Sequence, residues 1–290
     1  MIRVAACQYA IELHETWDAY ADHLQALCAE AVDAGARLLL LPEYAGLVLS
    51  GQLSARQRGD LGTSIAAMQP LIEPWKALCA GIAKRLNVYL QPGTLPVLDD
   101  DGLYRKRAWL FGPQGCLGYQ DKLMMTRFER EQWGIAAGQG LQVFDTELGR
   151  LGILVCYDNE FPLLARRLAE QGAELILAPS CTDTEAGYHR VRIGAQARAL
   201  ENQIAVLQSP TVGRAPWSPA LDENIGRAGL FVPPDHGMPG DGVMALSEGL
   251  DPVGSQWLVC DLDLEEVRRV RREGQVFTWR DWPEQFERMR

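Results

Sequence analysis

The chain has 290 residues, 47% of them hydrophobic and 23% charged, with a formal net charge of −10. Such a composition excludes an intrinsically disordered chain and supplies a core that needs no disulfide or metal staple. The negative balance argues against nucleic acid as a partner, because dense phosphate charge repels it.

Residues 2–9 read as an opening strand, and no basic region followed by a long apolar run marks a signal peptide there. Residues 17–33 carry apolar side chains at helical spacing, with Gly35 just past the end. Residues 37–41 form a short continuous apolar run, as in a strand buried on both faces; Pro42 stops it and Glu43 follows at its mouth. A helix is predicted over 65–86 and a strand over 88–94. Residues 108–111 and 117–122 read as a hairpin across Gly112-Pro113-Gln114-Gly115, and 141–144 with 151–156 as a second. A helix over 161–171, a strand over 174–178, a helix over 187–201 and a strand over 204–208 follow. Residues 210–242, rich in Gly and Pro, read as loops with short strands, before a strand over 256–262 and a helix over 264–272. The Arg268-Arg269-Val270-Arg271-Arg272 run follows four acids and reads as a solvated helix face.

This alternation predicts an α/β fold, with a mixed sheet covered by helices. A single domain is expected over 1–290, with a core to about residue 265 and a C-terminal helix and tail over 264–290. No stretch of about 18 apolar residues offers a membrane span. The seven cysteines include no CxxC pair or Cys/His cluster, so neither a disulfide framework nor a structural zinc site is expected, and the thiols suit a cytoplasmic location. No cofactor or metal is expected.

Three residues stand where chemistry is possible. Cys156 lies between an apolar run and a helix start, where the helix N-terminus favours a thiolate; alone, it reads equally as a small buried hydrophobe. Glu43 ends a buried strand, where burial makes a carboxylate a usable base, or where backbone N–H groups simply hold it. Lys122 follows a hairpin strand; an ammonium there can stabilise an oxyanion, although alone it reads as a surface lysine. The four histidines stand in no GxSxG elbow and no HxxxH spacing.

In series, LLLLPEY over 38–44, DKL over 121–123 and LVCYDNEFP over 154–162 resemble the nitrilase, or carbon-nitrogen hydrolase, superfamily, in its amidase-like branch. ACQYA over 6–10, DTELGRLGILVC over 145–156 and QARALENQ over 196–203 agree. The resemblance implies a four-layer α-β-β-α sandwich and a homodimer or higher homo-oligomer. It implies that Glu43 is a general base, Cys156 the nucleophile on a small amide or N-carbamoyl compound, and Lys122 the oxyanion cation, aided by the Tyr157 N–H. A second family glutamate falls in MTRFEREQWGIAAGQ, over 125–139; Gly138 favours Glu131 over Glu129, and Glu131 is expected to contact Lys122 and orient substrate. Tyr157, Cys181 and Trp133 are expected to line the pocket. Many relatives follow the cysteine with CYDxRFPE, where this chain has Glu160 and Leu163. Glu160 therefore either selects a neutral or cationic substrate or pairs with an arginine such as Arg127, Arg130 or Arg166. Competing readings are a non-catalytic metabolite-binding protein, a thiol redox protein with Cys181 as resolving partner, and an acyltransferase using the same acyl-enzyme.

Overall fold

In this computed structural model, which describes residues 1–289, three separate apolar cores set the architecture. In the first, Tyr20, Leu24 and Leu27 of helix Trp17–Asp33 and Trp75, Cys79 and Ile82 of helix Ile72–Leu86 meet Leu39, Leu41, Trp109 and Phe111. In the second, Val4, Leu38, Leu40 and Leu110 meet Ile153, Leu177 and Leu207. In the third, Leu154, Ile176 and Val206 meet Ala165 and Leu168 of helix Pro162–Glu170 and Ala195 and Ala199 of helix Glu185–Asn202. Helices, sheet, sheet and helices therefore stack as a four-layer α-β-β-α sandwich. The leucines of strand Leu38–Leu41 show why the run must be apolar throughout: alternate side chains enter different cores.

One sheet orders Thr94–Leu98, Tyr104–Gly112, Tyr89–Pro92, Leu38–Leu41 and Ile2–Ala10; the other orders Ala205–Arg214, Leu175–Ser180, Gly149–Ile153 and Val143–Thr146. A short parallel pairing, Tyr9 with Thr211 and Ala10 with Val212, joins them. Strand Gln256–Leu262 returns antiparallel along Ile2–Gln8, so the end of the chain closes on its beginning. Helix starts follow the side chains available. Thr16 accepts a hydrogen bond from the Ala19 N–H and Thr184 from the Gly187 N–H.

Several sequence-based boundaries change. The helix expected over 65–86 is broken at Pro70, which has no N–H to continue the ladder: Leu61–Met68, a 3-10 turn Gln69–Leu71, then Ile72–Leu86. The strand expected over 88–94 splits at Gly93, with φ of 92°, where a Cβ would lie 2.4 Å from the Pro42 carbonyl oxygen. That close approach brings Thr94 to accept from the Tyr44 N–H at 2.9 Å and fixes the loop after Glu43. The strand expected to end at Cys156 ends at Ile153. The arginine run lies on helix Leu264–Glu273, with Arg268, Arg269 and Arg272 paired to Glu174, Glu265 and Glu266. No helix among the described residues is long and apolar enough to cross a membrane.

Candidate active site

Glu43, Lys122 and Cys156 line one cavity of about 760 Å³. Each sits just beyond a strand. Pro42 ends Leu38–Leu41 before Glu43, Lys122 follows Gly115–Asp121, and Cys156 opens a 3-10 turn, Cys156–Glu160, beyond Gly149–Ile153. Cys156 has φ of 49° and the neighbour of Glu43, Tyr44, has φ of 63°. A non-glycine residue held there costs on the order of 1–3 kcal/mol, which the surrounding packing must over-determine.

Asp158, fully buried, supplies much of that determination. Its carboxylate accepts from the N–H groups of Val155 at 3.1 Å, Leu123 at 3.2 Å and Met124 at 2.8 Å. One side chain thus ties the cysteine turn to the lysine loop. Asn159 adds bonds to the carbonyls of Leu154 and Cys156.

The carboxylate of Glu43 is 1% exposed and accepts from Lys122 Nζ at 2.8 Å and Lys106 Nζ at 2.6 Å. Burial pushes its pKa up, but the two ammonium groups outweigh this and bring it down to about 2. Burial drives the Cys156 thiol well above its ordinary range, and the Glu43 charge adds to this. Lys122 is lowered by burial but raised overall by Glu43 and Cys156. Burial pulls the Lys106 ammonium down to about 7 against the attraction of Glu43, while contact with the Glu129 carboxylate favours the charged form. The resting site therefore pairs an ionised carboxylate with a protonated thiol. Among the described residues, Cys156 Sγ makes one hydrogen bond, 3.4 Å to the carbonyl oxygen of Cys181.

Glu131 does not meet Lys122. It lies half-exposed and pairs with Arg127 at 2.9 Å. Glu129 contacts Lys122 instead, at 2.8 Å, and also accepts from Tyr44 Oη at 2.7 Å. The reason is local. Thr126 and Glu129 form a reciprocal cap: Glu129 accepts from the Thr126 N–H at 2.8 Å, and Thr126 Oγ1 accepts from the Glu129 N–H at 3.3 Å. The turn Glu129–Trp133 then buries Glu129 and turns Glu131 outward. The Thr-x-x-Glu spacing carried that signal in the sequence.

Tyr157, Glu160 and Cys181 line the cavity as expected. Trp133 does not; it is wedged behind Tyr44 and Phe128, at ring distances of 5.4 and 5.7 Å, with its N–H bound to the Leu61 carbonyl. Glu160 reaches Arg190 at 3.5 Å, rather than Arg127, Arg130 or Arg166. Cys181 Sγ lies 3.1 Å from Asn224 Oδ1 and shows no bond to Cys156 sulfur.

Lys106 escaped the sequence reading because the strand there was expected to begin at Ala108, whereas it runs Tyr104–Gly112. Alternation places Lys106 on the face of Ala108 and Leu110, between the sheets, while Arg105 and Arg107 pair with Asp99, Asp101 and Asp121. A basic run with strand parity was the missed signal.

The carbon-nitrogen hydrolase family model matches residues 3–272. A probable hydrolase, YhcX, from Bacillus subtilis is 33% identical over 280 residues, 97% of this chain and 53% of that protein, so the chain spans about half of that relative's length. A deaminated glutathione amidase from Yersinia enterocolitica is 32% identical over 194 residues, 63% of this chain and 65% of that one. Among solved structures, the amidase from Nesterenkonia sp. AN1, seen with acrylamide added at its active-site cysteine, is similar with a TM-score of 0.67 at 24% identity, over 97% of this chain and 100% of that chain. The matched span includes the segments that carry Glu43, Lys122 and Cys156, and the chain belongs to the carbon-nitrogen hydrolase family.

Proposed function

We propose that the chain hydrolyses a non-peptide C–N bond of a small linear amide or N-carbamoyl compound, with Cys156 as nucleophile. The observation that carries this reading is the ionised Glu43 carboxylate sharing a cavity with an otherwise weakly held Cys156 thiol. Glu43 takes the thiol proton as sulfur attacks the acyl carbon. The oxyanion forms beside Lys122 and the Tyr157 N–H. As the C–N bond breaks, Glu43 returns the proton to the departing nitrogen, leaving a thioester on Cys156. A water deprotonated by Glu43 then displaces the sulfur, the acid leaves, and the thiol regains its proton. A cavity of about 760 Å³ suits a small molecule. Glu160 carries no arginine fork for a substrate carboxylate, which supports a neutral or cationic acyl group, although Arg190 takes up part of its charge.

Intact-mass screening of amides, nitriles and N-carbamoyl amines tests the reading. A covalent acyl adduct on the native chain, absent from Cys156→Ala, is expected. Turnover that survives Cys156→Ala overturns it.

A further inference from the structure

Two carboxylates, Glu43 and Glu129, are buried together at 1% exposure and both accept from Lys122. One ammonium cannot keep two such groups ionised. Carboxylates crowded into one buried site ordinarily share a proton, because like charges a few ångströms apart raise one pKa strongly. A shared proton would leave Glu43 a poorer base and Lys122 occupied by whichever carboxylate kept its charge.

The second cation is Lys106. It is wholly buried, its Nζ lies 2.6 Å from Glu43 Oε1 and in contact with Glu129 Oε1, and it stands 3.6 Å over the ring of Tyr44. The ring face adds attraction for a cation that has lost its water. Tyr44 in turn donates to Glu129, so the cluster closes on itself. Two ammonium groups thus balance two carboxylates.

Resting on the cysteine-hydrolase reading above, we propose that Lys106 is a positioning residue of the reaction: it holds Glu43 ionised and aimed, and compensates Glu129, so that Lys122 is free to meet the developing oxyanion. Lys106 touches neither sulfur nor substrate in this role. It acts through the charge state of Glu43.

The test is the pH dependence of Cys156 alkylation by acrylamide, followed by peptide mass, in the native chain, Glu43→Gln, Lys106→Met and Lys106→Arg. The native rate is expected to stay level from about pH 7 down to about pH 5, where Lys106 is charged and Glu43 stays ionised. In Lys106→Met the rate falls by about tenfold or more across the same span, because protonation of Glu43 moves into it, and it recovers toward the native value at the alkaline end. Lys106→Arg keeps a cation there and restores a level profile. A collapsed fold would not recover with rising pH, so recovery separates charge from structure. A Lys106→Met profile that matches the native one overturns the proposal and leaves the hydrolase reading standing. A native rate unaffected by Glu43→Gln overturns both.

Discussion

The two mouths that face each other across the cavity are built alike and filled differently. At one, a buried strand ends, the chain turns through Tyr44 in a left-handed conformation, and Glu43 is gripped by two lysines. At the other, a buried strand ends, Cys156 itself takes the left-handed conformation, and among the described residues its sulfur makes one hydrogen bond, to a carbonyl. The backbone is held rigidly at both. The difference lies in the side chains: the base is fixed by charge, and the sulfur is fixed by backbone alone. A group that must form and break a bond with substrate gains from being positioned through its main chain and left free at its tip.

The largest way to break this contrast is to remove either tip. Cys156→Ala and Glu43→Gln should each lower amide turnover by about a thousandfold or more, with losses that do not add in the double variant, as expected for groups acting as a unit; steady-state kinetics on any amide found by the screen measures this. Acid acts on the same side. The Glu43 carboxylate stands at about 2 instead of 4.5, so the stability it contributes is present above about 4.5 and is lost as pH falls toward about 2. Next comes the gripping shell. Glu129→Gln leaves buried lysine charge uncompensated and should cost about 3–5 kcal/mol of stability. Glu131→Gln, two positions on, breaks only a half-exposed pair and should cost less than about 0.5 kcal/mol; urea unfolding of the two compares them directly. Asp158→Asn strips the carboxylate that ties both loops and should cost about 1–3 kcal/mol, read as a fall in Tm. The smallest effect is expected at the rim. Glu160→Arg should shift preference toward acidic amides, and an unchanged ratio of kcat/KM between acidic and neutral amides would retire a substrate-reading role for Glu160.

The same contrast explains what the chain announced of itself. Glu43, Lys122 and Cys156 were readable through the series LLLLPEY, DKL and LVCYDNEFP and its resemblance to a known family, since alone each had an equal or better structural explanation. Burial of the strand on both faces was readable because Leu38–Leu41 is apolar throughout, while the four layers came with the family resemblance. Lys106 was hidden because its meaning depends on where the strand begins: with the start set at Ala108, it fell in a loop, and with the start at Tyr104, parity turns it inward. Glu129 and Glu131 differ by two residues, and only the Thr126 cap decides which is buried. Asp158 was quoted within a motif but given no task, because its partners, Leu123 and Met124, lie in a segment distant along the chain. Local signals survive in one sequence; charge balance and loop-to-loop stitching need coordinates.

The buried charge cluster has a kinetic consequence. Its members come from positions 43, 106, 122 and 129, and they lose water only once the strands carrying them have assembled. A half-assembled chain keeps those ions hydrated, and dehydrating one before its counter-ions arrive is costly. During refolding, helical signal should therefore return before catalytic competence, and the interval between the two reports how long the chain waits for its last ions to be desolvated together.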